Sequence, residues 1–321
     1  MEIYLVGGAV RDKLLGYPPR DLDYVVIGST PDEMMKLGFQ PVGKSFEVFL
    51  HPENKAQYSL ARELSDDLGR RDLTINAMAM NDKGDVIDPF HGRVDLKKKL
   101  LKHVSEKNFF DDPLRVFRVA RFKCQYPEFT IDEGTLDLMR RVPTKDVTPE
   151  RIFKEFQAAL STPRPSLFFE VLKSVGALEP YFKNAQLSLI DKVSSITRDL
   201  SIRFASLKLV TPLPLPNDWP EAARVTERFL DKAIGIFSME AEDLVTMLYQ
   251  MDGFRKPHLI DVLAVILQSL DHPDQADYLQ ESFSAVRMIS SKDLPPTIQG
   301  VEMGEAIRRK RTELLKSMCK L

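Results

Sequence analysis

Asp21 and Asp23 stand one residue apart, directly before and within an apolar run that continues through Tyr24 to Ile27. If both aspartates belong to the strand predicted for this run, they project from the same face, because side chains alternate along a strand. Two carboxylates this close repel each other unless a divalent cation, usually magnesium, lies between them. The pair therefore predicts a metal site that handles phosphate groups. The alternative is an exposed strand face with two solvated acids.

The segment upstream of this pair could hold the phosphates. Residues 2–6 are typical of a short buried strand, and residues 9–15 are typical of a helix that Gly16 ends. Gly7-Gly8 then lies at a strand-to-helix turn, where unobstructed backbone N–H groups bind anions. Arg11, on the first helical turn, can add a charge-assisted contact. The arrangement suits a nucleoside triphosphate whose α-phosphate is attacked by a hydroxyl group.

Residues 5–16, followed by Arg20-Asp21-Leu22-Asp23, resemble the first motif of the class II tRNA nucleotidyltransferases. This family contains the CCA-adding enzymes and the bacterial poly(A) polymerases. Four further segments match its motifs in order, namely residues 70–77, 88–96, 111–122 and 148–155. The resemblance is specific to about residue 180 and looser beyond. It implies magnesium at Asp21 and Asp23 as the catalytic and metal-binding residues, CTP and ATP as substrates, and tRNA as the partner.

The resemblance also assigns the second motif, Arg70 to Ala77, to the ribose and triphosphate. Within it, Arg71 supplies a fixed cation, while Asp72 and Asn76 can hydrogen-bond a sugar hydroxyl. The third motif implies a hinge at Asp88 to Gly92, and the fifth implies a structural brace. Together with the first motif, these assignments make Gly8, Arg11 and Arg71 nucleotide-binding residues.

The fourth motif suggests how a base could be selected. Asp111 to Arg115 is predicted to open a helix that continues through Phe122, with an acidic N-cap and Pro113 at the first helical position. Asp112 and Arg115 then share a face and pair an acceptor with a donor. That edge complements cytosine and adenine but not uracil or guanine. By family position, Arg118 and Arg121 also contact the nucleotide. An amphipathic helix with a basic solvent face is the alternative.

The chain departs from the family pattern in the interval before the second motif. Only seven residues, Glu63 to Gly69, separate Arg62 from Arg70. Family members with full CCA activity carry a longer mobile loop here, which is associated with the switch from CTP to ATP. We therefore expect CMP addition that ends after two cytidines or is followed by weak AMP addition. Full CCA addition, poly(A) addition and a catalytically silent RNA-binding protein are the alternatives.

A second departure concerns the C-terminal region. Relatives often carry a His-Asp metal phosphohydrolase module, and residues 202–208 resemble the approach to its metal-binding pair. Lys208-Leu209 stand where that pair would be, and these side chains cannot jointly ligate a metal. The tail is thus predicted to be a degenerate relative of this module without phosphohydrolase activity.

Composition limits the setting of the protein. The two cysteines, Cys124 and Cys319, show no metal-binding spacing, which favours a reducing, cytoplasmic location. No targeting segment and no apolar run long enough to cross a membrane are evident. The net charge is −2, so binding of RNA would depend on local basic runs, which we expect at residues 97–102, 115–123 and 308–311.

The motifs require elements that position them. Residues 1 to about 100 alternate strand and helix signals, and the later pattern is almost wholly helical. We expect an α+β protein with a polymerase-β-like mixed-sheet head, followed by an all-helical neck, body and tail. The expected boundaries are 1–103 for the head, 104–160 for the neck with the nucleobase template, 161–215 for the body and 216–321 for the tail. The oligomeric state stays open.

Overall fold

A computed structural model describes residues 1–19, 21–42, 48–295, 297–298 and 300–318, so Arg20 of the first motif and Cys319 lie outside the described residues. The chain divides into two compact units. The first unit contains Met1–Ala159 and Leu167–Glu179, and the second contains Leu160–Ser166 and Pro180–Leu321. The four domain boundaries expected from the sequence stay predictions.

The first unit is built on a seven-stranded mixed sheet with the order β3-β4-β5-β2-β1-β6-β7. Its strands are β1 (Glu2–Val6), β2 (Asp23–Ile27), β3 (Gln40–Val42), β4 (Val48–Leu50), β5 (Gln57–Ala61), β6 (Ala79–Met80) and β7 (Val86–Ile87). Two further short strands, β8 (Leu100–Leu101) and β9 (Thr130–Ile131), form a parallel pair. The expected α+β class with a mixed-sheet head is confirmed.

The central strands place the first motif. β2 pairs antiparallel with β1 and parallel with β5, and Asp23 is opposite Val6 on one side and Gln57 on the other. The prediction that Asp21 and Asp23 both lie on this strand is wrong, because β2 begins at Asp23. The reason is that β1 ends at Val6, so the residues before Asp23 have no strand beside them on that side. Asp21 instead lies in the bend that leads into β2.

Helices cover the sheet and continue the first unit. They are α1 (Gly8–Leu14), α2 (Pro31–Lys36), α3 (Leu64–Gly69), α4 (Gly92–Lys97), α5 (Glu106–Asp111), α6 (Arg115–Gln125), α7 (Glu133–Arg141), α8 (Pro149–Leu160) and α9 (Ser166–Ser174), the last two of which run across the boundary between the units. A 3₁₀ turn covers Thr74–Asn76. The predicted helix near residues 9–15 is confirmed as α1, and the predicted helical start at Pro149 is confirmed as that of α8.

The fourth motif differs from its prediction. Asp111 is the last residue of α5, and α6 begins only at Arg115. Asp112 lies between the two helices in an extended conformation, with φ −138° and ψ 90°. Pro113 accounts for this, because a proline ring disfavours the helical conformation of the residue before it. The helix start predicted at Pro113 is wrong by two residues, because α6 begins at Arg115. The Asp112 carboxylate nevertheless accepts a hydrogen bond from Leu114 N at 3.3 Å, as an N-cap residue does.

The second unit is helical in its described part. Its helices are α10 (Ile190–Ile196), α11 (Leu200–Ala205), α12 (Asp218–Ile234), α13 (Ala241–Gln250), α14 (His258–Ser269), α15 (Pro273–Arg287) and α16 (Val301–Met318). α14 contributes seven buried residues to the apolar core of this unit. Among the described residues, no helix is both long and apolar enough to cross a membrane.

One residue of the predicted basic runs is not available to a phosphate backbone. Arg311, on α16, is only 8% exposed. Its guanidinium donates hydrogen bonds to the carbonyl oxygens of Val286 and Ile289, at 3.1 and 2.9 Å, and stacks 3.7 Å above the Phe254 ring. The predicted contribution of run 308–311 to binding a phosphate backbone therefore excludes Arg311, because its guanidinium binds the end of α15 and the turn after it.

Candidate active site

A cleft of about 750 Å³ in the first unit is where the predicted site residues meet. The lining comes from α1, the start of β2, strands β4 and β5, the end of α3 with the segment after it, and helices α6 and α8. Every predicted site residue lines this cleft, namely Gly8, Arg11, Asp21, Asp23, Arg71, Asp112, Arg115, Arg118 and Arg121. The fold therefore brings together residues that are up to 113 positions apart in the sequence. Their individual roles stay predictions.

The glycine turn between β1 and α1 forms one wall of the cleft. Gly7 has φ +70°, a conformation that residues with a side chain rarely adopt. A Cβ atom there would lie 3.0 Å from Nη1 of Arg71, and a Cβ at Gly8 would lie 3.2 Å from Nη2 of Arg11. The missing side chains thus allow two arginines to approach the start of α1, where backbone N–H groups point away from the helix.

Six aspartates line the cleft, and arginines neutralise four of them. The ion pairs are Asp12–Arg11 at 2.8 Å, Asp67 with both Arg70 and Arg71 at 2.7 Å, Asp72–Arg118 at 2.8 Å and Asp112–Arg151 at 2.9 Å. The other two are Asp21 and Asp23. Within the part of the chain that the structure describes, neither of their side chains forms a hydrogen bond or an ion pair. The two carboxylates predicted to bind metal are thus the two that the described protein leaves unneutralised.

Burial raises the pKa of Asp23 above its ordinary value. The positive charge of Arg71 opposes this shift in the Asp23 pKa, whereas the negative charges of Asp21 and Asp67 add to it. The ionised form of Asp23 is therefore disfavoured unless a cation lies beside it. A magnesium ion fits this donor set, because it is commonly bound by one or two carboxylates together with water and phosphate oxygens. Among the described residues there is no cluster of three or more acidic, histidine or cysteine ligands.

Arg11 lines the cleft but is only 5% exposed. Its Nε and Nη2 atoms donate to Oδ1 of Asp12 at 2.9 and 2.8 Å, and its Nη1 donates to Oδ1 of Asn76 at 2.6 Å. The guanidinium also lies over the rings of Phe122 and Tyr126. These contacts fix Arg11 between α1 and α6. Direct binding of phosphate by Arg11 stays a prediction, and the described contacts show a positioning role.

The second motif forms a buried network rather than a free hydrogen-bonding edge. Asp72 is 4% exposed, and its carboxylate accepts hydrogen bonds from Leu73 N, Asn76 Nδ2 and Arg118 Nε. Burial acts to raise the pKa of Asp72, but the Arg118 charge and these hydrogen bonds outweigh it and hold the pKa well below its usual range. The same ion pair raises the pKa of Arg118. Asp72 and Asn76 also line the cleft, and the hydrogen bond to a sugar hydroxyl expected of them stays a prediction.

Two of the three arginines of α6, Arg118 and Arg121, share an acidic partner. Nε of Arg121 donates to Glu155 at 2.5 Å, and Nη1 of Arg118 lies 3.5 Å from the other carboxylate oxygen. Glu155 is on α8, so the predicted bracing role of the fifth motif is supported by a specific contact. The guanidinium of Arg121 also lies 4.1 Å from the centre of the Phe122 ring.

The predicted base-selecting pair is present in the cleft, but its two side chains do not bond to each other. Asp112 accepts from Nη2 of Arg151, and Nη2 of Arg115 donates to the carbonyl oxygen of Arg70 at 2.5 Å. The Nε atom of Arg115 is buried and has no hydrogen-bond partner. Burial lowers the pKa of Arg115, while Asp72 and Asp112 oppose that shift in its pKa.

The sequence assigned no individual role to four charged residues that line the cleft: Asp12, Asp67, Arg70 and Arg151. Asp67 carried a usable signal, because it precedes Arg70 and Arg71 by three and four residues, the spacing of side-chain pairs on a helix. The pairing of Arg151 with Asp112 joins positions 39 apart. No local pattern indicates such a contact.

Two protein-family models and a curated relative match this chain. Residues 3–50 and 42–102 match the poly A polymerase head domain, and residues 128–188 match a domain described as a probable RNA and SrmB-binding site of polymerase A. A CCA-adding enzyme of Pseudomonas putida (strain W619) is 36% identical over 364 residues, which covers 99% of this chain and 98% of that protein.

Solved structures share the fold. The CCA-adding enzyme of Thermotoga maritima, complexed with tRNA, aligns with a TM-score of 0.74 and 20% identity over 98% of this chain and 87% of that chain. The CCA-adding enzyme of Bacillus stearothermophilus, in complex with CTP, aligns with a TM-score of 0.72 and 22% identity over 98% of this chain and 89% of that chain.

Proposed function

This chain belongs to the class II tRNA nucleotidyltransferases, and from that premise we propose that it adds CMP from CTP to the 3′ end of tRNA, with two cytidines as its main product. As a member of the family, it is a nucleotidyltransferase of the CCA-adding type. The preference for CC over CCA, the magnesium ion and the residue roles below belong to the proposal.

One observation carries the proposal: among the residues that the structure describes, Asp21 and Asp23 are the carboxylates without an arginine partner in a cleft that seven arginines line. Asp21 and Asp23 would hold magnesium, which when bound neutralises triphosphate charge and activates an attacking hydroxyl group. The glycine turn at Gly8 and the Arg71 guanidinium would bind the phosphates. Arg118 and Arg121, held by Asp72 and Glu155, would orient the nucleotide on the opposite wall of the cleft.

Base selection would use the Asp112 and Arg115 side chains. In this proposal the Asp112 carboxylate accepts a hydrogen bond from the amino group of cytosine, and Arg115 donates to the ring nitrogen. Asp112 must then loosen its ion pair with Arg151, which is half exposed and therefore weak. Uracil and guanine present the opposite donor and acceptor pattern, so they would be rejected.

The structure of the interval before the second motif supports the preference for CC addition. Leu64–Gly69 forms α3, and Arg71 N bonds back to the carbonyl oxygen of Leu68. The seven residues are thus occupied by helix and turn, and little free chain is left to move the base-selecting edge. Adenine is larger than cytosine, so its acceptance would require such a movement.

The decisive experiment supplies tRNA that lacks its terminal CCA with CTP alone, ATP alone, or both, and resolves the products at single-nucleotide length. We expect two added cytidines from CTP and at most weak further addition when ATP is present. Efficient addition of three nucleotides would replace the CC proposal with full CCA activity. Long tails from ATP alone would indicate poly(A) addition. Tight tRNA binding without incorporation would indicate a silent RNA-binding protein.

Two variants test the residue roles. Asp23→Ala should abolish incorporation, since half of the metal-binding pair is lost, and normal turnover would contradict the metal assignment. The double exchange of Asp112→Arg with Arg115→Asp should move selection towards UTP and GTP. An unchanged preference for CTP would contradict the template assignment.

A further inference from the structure

Side chains of α5 and α6 bind three consecutive backbone carbonyl groups, those of the last residue of α3 and of the two residues that follow it. The Nδ2 atom of Asn108 donates to the carbonyl oxygens of Gly69 and Arg71, at 2.7 and 2.9 Å. Nη2 of Arg115 donates to the carbonyl oxygen between them, that of Arg70. The last carbonyls of a helix have no partner within the helix, so these contacts satisfy groups that would otherwise need water. We name Gly69 to Arg71 and these donors the carbonyl clamp.

The side chains of the same segment are also fixed. Asp67 is 1% exposed. Its Oδ1 accepts two hydrogen bonds from Arg70, at 3.2 and 2.7 Å, and its Oδ2 accepts two from Arg71, at 3.0 and 2.7 Å. Arg70 is thus held through its side chain by Asp67, and its backbone lies between two carbonyls that Asn108 binds. A shift of the Arg70 carbonyl oxygen would therefore disturb the hydrogen bonds that Asn108 donates to the carbonyl oxygens of Gly69 and Arg71.

This fixed carbonyl sets the orientation of Arg115. The Arg70 carbonyl is the hydrogen-bond partner of Nη2, while Nε is buried without one. A buried N–H group without a partner is unfavourable in the folded protein. An orientation with that cost persists only if other contacts enforce it, and the clamp provides them.

We propose that Asn108 is a positioning residue that holds Arg115 in a single orientation suited to cytosine, by fixing the carbonyl oxygen of Arg70. The inference rests on the proposed function, since it assigns Arg115 to base selection. It gives the selectivity for cytosine a second cause, the contact of Arg115 with the Arg70 carbonyl oxygen, in addition to the short interval of residues 63–69. A larger base would require the Arg115 guanidinium to move, and that movement would break its bond to the clamp.

A graded series of variants tests the number of donors at this position. Asparagine offers two hydrogens to the carbonyls, Asn108→Ser offers one and Asn108→Ala offers none. We measure kcat/KM for CTP on tRNA lacking CCA, and kcat/KM for ATP on tRNA ending in CC. The value for CTP divided by the value for ATP should fall on the order of 10-fold in Asn108→Ala, which corresponds to the net contribution of one hydrogen bond. The fall should be smaller in Asn108→Ser.

Lys107→Ala is the matched control, because Lys107 is on the same helix but its side chain is 81% exposed and pairs only along the helix with Asp111. Its ratio should equal that of the wild type. Thermal unfolding of all three variants separates positioning from structure. A lower midpoint with an unchanged ratio in both Asn108 variants would overturn the inference. Absence of CMP incorporation by the wild type would instead refute the proposed function itself, so the two failures are distinguishable.

Discussion

Asp23→Asn should stabilise the metal-free protein while removing its activity. In the folded protein, burial raises the pKa of Asp23, and no described side chain pairs with it. Below the ordinary pKa near 3.9, Asp23 is protonated in both the folded and the unfolded state, and the free energy of unfolding is at its highest with respect to this group. The free energy of unfolding falls as the pH rises from that value to the raised pKa of the folded state. At pH 7 the ionised Asp23 therefore disfavours folding, and a neutral amide of the same shape removes that penalty.

Asp67→Asn is the same substitution at another aspartate of the cleft, and we expect it to lower the stability of the protein instead of raising it. Asp67 is buried and paired with two arginines whose side chains are 59% and 26% exposed. Loss of a fully buried ion-pair partner costs about 3–5 kcal/mol, whereas an exposed pair contributes about 0–1 kcal/mol. The intermediate exposure gives an expected loss of about 2–4 kcal/mol in the free energy of unfolding. A comparison of the two variants thus separates a paired structural carboxylate from an unpaired one.

Urea unfolding at pH 7 with a chelator present measures both effects. The midpoint should rise for Asp23→Asn and fall for Asp67→Asn. Addition of magnesium and CTP at 100 times their dissociation constant should raise the wild-type thermal midpoint by about 5–10 °C, from roughly 2.7 kcal/mol of linkage. Asp23→Asn should lack most of this increase. A fall in the Asp23→Asn midpoint similar to that of Asp67→Asn would refute the reasoning, because Asp23 would then be a paired structural acid.

Three further predictions follow from other parts of the first unit. The pKa of Asp72 is lowered in the fold, so its stabilising effect is complete above its ordinary pKa and is lost as the pH falls towards the lowered value. The difference in urea midpoint between wild type and Asp72→Asn should therefore be largest near pH 7 and shrink below pH ~4. Arg151→Ala should change the unfolding free energy by no more than about 1 kcal/mol, because its ion pair with Asp112 is half exposed, yet should alter KM for CTP in steady-state assays. Gly92→Ala should cost about 3 kcal/mol in urea unfolding, because its Cβ would lie 2.2 Å from the carbonyl oxygen of Thr74, and Arg93→Ala is the neighbouring control.

The sequence predicted the elements whose signals are local. The apolar run before Gly7-Gly8, the helix after it, and the proline at the start of α8 are all found where the pattern indicated them. The fourth motif was predicted to open a helix with an acidic N-cap and with Pro113 at the first helical position. Asp112 has the extended backbone that an N-cap residue adopts, but α6 begins only at Arg115. The local pattern thus indicated the helix without fixing its first residue.

The acidic partners of most of the arginines in the cleft could not be predicted from the sequence. Arg11, Arg118 and Arg121 were all interpreted as nucleotide contacts, and the structure shows that each already has an acidic partner. Those partners, apart from Asp12, are 34 or more residues away in the chain, so only the tertiary fold identifies them. A run of arginines in a helix therefore indicates a basic wall but not which of its members can still bind an anion.

The pairing pattern explains how a chain with a net charge of −2 can bind a triphosphate. Arginines of the cleft pair with four aspartates of its lining and with Glu155 of α8, so most of the charge there orients the walls rather than attracting a ligand. Arg70 and Arg71 share a single partner, Asp67, and so leave positive charge in excess beside the glycine turn. Asp21 and Asp23 leave negative charge in excess at the start of β2. A ligand that carries both a polyanion and a divalent cation matches these two excesses at once, and neither ion alone does so. On this basis CTP and magnesium should each increase the affinity of the protein for the other.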